Sequence, residues 1–535
     1  MKRSPLAPLL LTTALTAALT AAPATAETLR TAYATAPVSA DPYPFSDTQT
    51  ASLSEHVFEM LVDLDTKPML ATEWKWESPT SFVMKLREGV TFSNGAPLTA
   101  EDVVFSTCRM MYKVDGKPNV LTSSLGPVTN VEPVDDLTVR FTTTAPYPIL
   151  IQKLKFLKIL SAQTYGVTDP ITYDREGDCG IADKYPTQAE FEQGKAAIGT
   201  GPYVYESFQP SGDADLVINP TYWGTAPEWD RVEIRSVPNS GARTAGLLAG
   251  DYDVIDKPSA EDQTVIAKDD GFTVTSTPGL QTIFLVLDTN PDGAAGVTAA
   301  DGSAPLADVR VRRALSMAID RKAIVTRLFQ GNATAANQFA PSYMEGAAPD
   351  MPDLPYDPEA AKALLAEAGY ADGFAIELSA PNARYDNGTT VAQAISQYWT
   401  RLGLDVTLTT EPWSVFRTRR SDHQLGAFMY GWGHPQGPGQ LISGAFAQKD
   451  ADLGLGSANF SSYDDPAFET PIRAWAVETD PAAADALLAE AMHVAMDQLP
   501  GIPLYYNHET WALRSDLEVT NGTAGHTLAM MVHSK

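Results

Sequence analysis

Residues 74–106 read WKWESPTSFVMKLREGVTFSNGAPLTAEDVVFS. Phe82, Met84 and Leu86 alternate, so they share one face of a strand. Gly89 breaks that strand. Val90 and Phe92 restart it, and Asn94-Gly95 is the strongest short hairpin signal a sequence offers. Pro97 stops the second strand. Thr99 stands three residues before Asp102, which predicts a helix N-cap with an acidic N3 partner. Val104, Cys108 and Met111 follow at helical spacing on one buried face. The unit is therefore strand, turn, strand, capped helix.

Upstream of this unit the first 26 residues read as a secretory leader rather than as part of the fold. Lys2 and Arg3 form its positive end, an apolar stretch runs from Leu6 to Ala22, and Ala24-Thr25-Ala26 is an A-x-A cleavage site. A membrane anchor is the competing reading, weakened by Pro8 and several Thr in the apolar stretch. Cleavage after Ala26 would leave 535 − 26 = 509 residues, two or three domains' worth. No Cys stands at the cleavage point, so a lipid anchor is not expected, and no later run is long and apolar enough to span a bilayer. The expected location is the periplasm.

Hydrophobic residues make up 44% of the chain, which suits a packed globular protein and argues against disorder. Losing Lys2 and Arg3 takes the formal charge from −28 to −30, a surface that repels nucleic acid and anionic lipid. The two cysteines, Cys108 and Cys179, can pair in an oxidising compartment or stand as two separate buried thiols. A bridge between them would contribute roughly 4 kcal/mol through chain entropy. There is no C-x-x-C, so neither a thiol redox site nor a zinc ribbon is supported.

Along the rest of the chain, strands are expected at 28–35, 137–141, 232–236, 283–288, 375–379 and 406–410, and helices at 54–63, 188–196, 243–248, 308–320, 391–402 and 485–497. In Tyr356–Gly369, Asp357 caps a helix, Pro358 takes its first position and Gly369 ends it. Gly199-Thr-Gly-Pro-Tyr203 predicts a tight turn into a strand, and Tyr222-Trp223-Gly224 and Gly250–Val254 are further ordered motifs. Strands and helices alternate, which favours α/β layers.

Residues 74–106, 199–203, 222–224, 250–254, 308–320, 356–369 and 500–506 together resemble, in order, the motifs of bacterial extracytoplasmic solute-binding proteins of the dipeptide, oligopeptide, nickel and opine class (family 5), which deliver ligands to ABC importers. The resemblance covers nearly the whole mature chain. It implies an α/β, two-lobed periplasmic-binding-protein fold, type II-like, with an extra subdomain in the first lobe. The first lobe would comprise residues 27–70, 197–285 and 506–535, the extra subdomain 71–196 and the second lobe 286–505. Two crossing segments would let the lobes close on a ligand like a hinge.

Motifs for catalysis are missing. There is no G-x-S-x-G elbow, no phosphate loop and no H-E-x-x-H; His508-Glu509 begins like the last, but Ala512 stands where its second His is required. His56, His423, His434, His493, His508, His526 and His533 are scattered, so no metal site or cofactor is expected and the chain does not read as an enzyme.

Binding residues are expected in three stretches of the second lobe. Ala380–Asn387 follows a strand end, where ligand-facing loops arise. By resemblance Arg384 falls where dipeptide-binding relatives hold the ligand carboxylate, a task suited to a guanidinium, with Asn382 and Tyr385 beside it. In Met429–Pro438, Trp432 offers a flat apolar wall. Peptide-binding relatives follow this Gly-Trp with an Asp for the ligand's amino group; here Gly433, His434, Pro435 and Gln436 occupy that stretch, and His434 or Gln436 would instead meet a hydroxyl or amide. Trp413, in Glu411–Phe416, lines the cleft or packs in the core. Tyr43, with residues 36–41, is expected at the cleft from the first lobe, and Asn459-Phe460 from the second. The implied role is a monomeric receptor handing a small organic solute, a dipeptide or oligopeptide by class, to a permease and its ATPase. An opine-like or sugar-derived solute is the alternative, and a secreted hydrolase the rival.

Overall fold

The computed structural model describes residues 27–43, 48–112, 125–344, 346–382, 384–433, 437–450, 452–520 and 526–535. In chain order its strands are β1 (Thr28–Tyr33), β2 (Ala71–Ser78), β3 (Ser81–Leu86), β4 (Val128–Asp135), β5 (Thr138–Thr143), β6 (Tyr203–Phe208), β7 (Ala214–Ile218), β8 (Arg231–Ser236), β9 (Val254–Asp256), β10 (Phe272–Leu287), β11 (Val297–Thr298), β12 (Ala333–Ala335), β13 (Ala375–Pro381), β14 (Asp405–Glu411), β15 (Ala427–Gly433) and β16 (Gly501–Arg514).

One sheet runs through the whole molecule in the order β11-β13-β15-β10-β16-β9-β1-β8-β7-β6. β10 and β16 are its spine. Their outer halves pair from Phe272↔Arg514 to Pro278↔His508, beside β9; their inner halves pair from Thr282↔Tyr506 to Val286↔Gly501, beside β15. Between Pro278 and Thr282 the register shifts, so three residues of β10 face one of β16. Pro278 lacks a donor for the ladder, and the pairing yields there. The cores divide at the same place. One cluster joins residues 29–254 with residues 511–532. Two others draw on residues 283–505.

The stretch at 74–106 contributes β2 and β3 to a second, four-stranded sheet, β2-β3-β5-β4. Phe82, Met84 and Leu86 face its core as their alternation requires. The helix Ala100–Met111 begins with the expected capping box: the Thr99 amide donates to the Asp102 carboxylate at 2.7 Å. The Val90–Phe92 strand is corrected. Asn94-Gly95 turns the chain, with the Gly95 amide donating to the Phe92 carbonyl at 2.8 Å, but among the described residues only Thr91 and Pro97 bridge across it, so no second strand forms. Cys108 and Cys179 form a disulfide with Cα atoms 6.2 Å apart.

Elsewhere the boundaries shift for tertiary reasons. The helix expected at 54–63 lies at Thr48–Glu55. Past Glu55 the carbonyls of His56 and Val57 are taken by the amides of Tyr203 and Gly201, and that of Glu59 by Ile159, so the helix stops. The helix at 188–196 closes after Glu192. Gly199 is needed for close approach rather than for backbone angle: a Cβ there would stand 1.9 Å from the Val57 carbonyl oxygen. The capped helix Pro358–Glu367 matches its sequence signals, with Asp357 accepting from the Ala360 amide and Gly369 in the left-handed region. Among the described residues no helix is long and apolar enough to cross a membrane.

Candidate functional site

The irregularity in the β10–β16 ladder lies at the floor of a cleft between the two halves. Asn332, from the second half, donates to the Gln263 side chain of the first at 2.7 Å. Beside this contact is a cavity of about 560 Å³. Lys257 and Ser259 line it from the first half, Phe329 and Asp386 from the second, and Asn507 and His508 from the spine.

Lys257 follows β9 in a left-handed backbone conformation, with its amide held by the Thr510 carbonyl at 2.8 Å. Burial disfavours its ammonium, but Glu509, Asp386 and Asp256 outweigh that and raise its pKa. Glu509 is raised in turn, by burial first, with Lys257 opposing. Asp256 accepts from the Ala34 amide at 2.6 Å and stands 3.9 Å from the buried Arg243. Carboxylates from both halves therefore converge on one lysine.

A second cluster is cationic and aromatic. Arg384 is exposed, and its guanidinium lies 4.7 Å from the Trp413 ring centroid. Trp413 opens the helix Trp413–Ser421 and stacks on Phe416 at 5.7 Å. Arg420, in the last turn of that helix, lies 5.6 Å from Trp413, 4.8 Å from Tyr430 and 4.6 Å from Phe460. Tyr385 is buried, and its hydroxyl accepts from the Gly431 amide at 2.9 Å, tying the Arg384 loop to β15. Trp432 pairs with Thr282 at the ladder irregularity and packs edge-on to Tyr430 at 6.1 Å.

Thus Arg384, Tyr385, Trp413 and Trp432 come together. Asn382 is exposed nearby, its amide bonded to the Glu411 carbonyl at 2.7 Å. His434 and Gln436 lie outside the described residues. Two expectations are corrected. Tyr43 is fully buried in the first-half core with its hydroxyl on the Lys158 carbonyl, and neighbouring Asp41 pairs with Arg109 at 2.7 Å, so neither faces the cleft. Asn459 is a loop tie: its amide nitrogen reaches the carbonyls of Phe446, Ala447 and Tyr463 and its oxygen accepts from Ser461. Sequence reasoning missed Lys257 and Arg420. The only signals were a Lys-Pro pair closing a strand and an arginine run ending a helix, both commonplace on surfaces.

The model of the middle region of bacterial extracellular solute-binding proteins, family 5, matches residues 65–453. Among curated proteins, heme-binding protein A of Haemophilus influenzae is 27% identical over 488 residues, covering 85% of this chain and 82% of its own. The dipeptide-binding protein of Escherichia coli is 28% identical over 460 residues, covering 81% of this chain and 80% of its own. Among solved structures, HbpA2 from Haemophilus parasuis superposes with a TM-score of 0.77 at 27% identity, covering 95% of this chain and 100% of that one.

Proposed function

This chain belongs to the bacterial extracellular solute-binding proteins of family 5, and on that premise we propose that it captures a small peptide-like solute in the cleft and presents it to an ABC permease. The observation that carries the reading is Arg384 set over Trp413, two residues before Asp386, which lines a cavity shared by both halves and the spine. A guanidinium held against an indole is oriented for a carboxylate while the ring supplies an apolar wall. Similarity to a dipeptide-binding protein supports a peptide-like solute. Lys257, with its surrounding carboxylates, supplies fixed charge on the facing wall. Binding alone suffices for this role, so no bond in the solute need be broken. The reading places the protein in the periplasm, released after Ala26, acting as a monomer.

The test is mass spectrometry of whatever co-purifies with the mature protein, followed by thermal shifts with a dipeptide panel. Saturable stabilisation without hydrolysis is the expected result. Peptide turnover would replace this reading with the hydrolase. Arg384→Ala should weaken the best dipeptide at least tenfold by calorimetry, and unchanged affinity would remove that loop from the site.

A further inference from the structure

We propose that Arg420 and the rings around it form a second anion subsite, so that the captured solute carries two separated carboxylates; this rests on the cleft being the capture site. Arg420 is 9% exposed, and its Nε and Nη1 have no hydrogen-bond partner among the described residues. A buried guanidinium stays charged at any physiological pH. Other buried arginines here are satisfied differently. Arg243, Arg312 and Arg321 donate chiefly to backbone carbonyls. Arg109 also leaves two nitrogens unpaired, but its Nη2 meets Asp41 at 2.7 Å. The adjacent Arg419 pairs with Glu411 at 3.1 Å and Glu377 at 3.2 Å. Among the described residues Arg420 meets only ring faces.

Those faces offset part of the desolvation cost, and the helix C-terminus favours a cation in its last turn. Neither fills the in-plane donors of the guanidinium, which are suited to a carboxylate. A chain with formal charge −28 has many carboxylates, yet among the described residues none forms an ion pair with this group. Arg384 and Arg420 approach the same Trp413 ring. A solute with one carboxylate for each would be held across the indole, whereas a monoacid would leave one cation unpaired.

The experiment compares isosteric probes on mature protein that has been unfolded, stripped and refolded. Calorimetry is run with the dipeptides Ala-Glu and Ala-Gln, and thermal shifts with glutarate and its monoamide. The expected result is at least tenfold tighter binding of Ala-Glu, or a larger shift with glutarate. Arg420→Met should bring the paired probes to within twofold of each other, and Arg384→Met should weaken both dipeptides. A diacid preference with glutarate but no dipeptide binding supports the subsite and removes the peptide reading. Equal binding of paired probes by the wild type overturns the subsite and leaves capture standing. No response to any probe overturns both. Because the wild-type comparison needs no substitution, misfolding of Arg420→Met cannot shelter the proposal. If that variant folds but retains the diacid preference, the second carboxylate is not read by Arg420 and the proposal fails.

Discussion

Glu59 shows how one buried side chain sets a pH dependence. It is 4% exposed and accepts from the Trp223 indole at 2.7 Å and from the Tyr222 hydroxyl at 3.4 Å. Burial outweighs these donors and pushes its pKa up to about 7 from an ordinary 4.5. Between those values the folded protein holds a proton that the unfolded chain has released, so stability falls as pH rises from about 4.5 to about 7 and stays reduced above. Glu59→Gln keeps an acceptor for Trp223 without the charge. It should therefore gain on the wild type through that window, reaching on the order of 3 kcal/mol by pH 8; urea denaturation at stepped pH measures the gap, and a pH-independent gap would contradict the burial argument. The Tyr222-Trp223-Gly224 motif was legible in the sequence, whereas the carboxylate it serves was not, because Glu59 lies far away along the chain. Arg384 was singled out because it follows a strand end, and the structure sets it against the Trp413 ring. Tyr43 and Asn459 were misplaced because a residue's type does not disclose which carbonyl its polar atom will reach. Arg420 was missed for the converse reason, since a charged run ordinarily faces water.

At the level of elements, local signals succeeded where the backbone satisfied itself. The capped helices Ala100–Met111 and Pro358–Glu367 lie close to where Thr99, Asp102, Asp357 and Gly369 put them. They failed where distant backbone competed, as in the residues after Glu55 whose carbonyls serve the 199–203 segment. That competition makes Gly199→Ala a sharp test. Its methyl would collide with the Val57 carbonyl, and the loss should be at least ~2 kcal/mol, read from the urea midpoint; a change within error would mean that the two segments separate freely. The extra sheet carries a different constraint. The Cys108–Cys179 bridge spans a sequence separation of 71 residues and ties the capped helix to the polar segment beyond β5. The double variant Cys108→Ala/Cys179→Ala should lose about 4 kcal/mol if chain entropy dominates. Wild-type protein denatured in reductant should then match it, and full stability in both would show that packing alone holds the segment.

The whole molecule turns on the same two strands that unify its sheet. β10 and β16 are continuous through both halves, so the halves are linked by paired backbone rather than by free linkers, and the break in the ladder is where a hinge would cost the fewest hydrogen bonds. The sequence located this crossing only in part: 283–288 was read as a strand and 500–506 as a motif of the resemblance, but their extensions to Phe272 and Arg514 were hidden by Pro278-Gly279 and by the polar residues 507–510. A broken ladder allows closure without fixing its extent. In the described arrangement Asn332 of one half and Gln263 of the other hydrogen-bond across the cavity, and neither is among the residues that contact Arg384 or Arg420. Removing that hydrogen bond should take about 1 kcal/mol from the arrangement in which the halves touch, without altering those arginines. Gln263→Ala should therefore enlarge the mean radius of gyration of ligand-free protein in small-angle scattering, and weaken the co-purifying solute about fivefold because less of the protein is in the competent form. Saturating solute should restore the wild-type radius, since a ligand contacting both halves favours closure by its differential affinity. A variant with lower affinity but an unchanged ligand-free radius would place Gln263 in direct contact with the solute, and an unchanged radius and affinity together would mean that the 2.7 Å contact carries no share of closure.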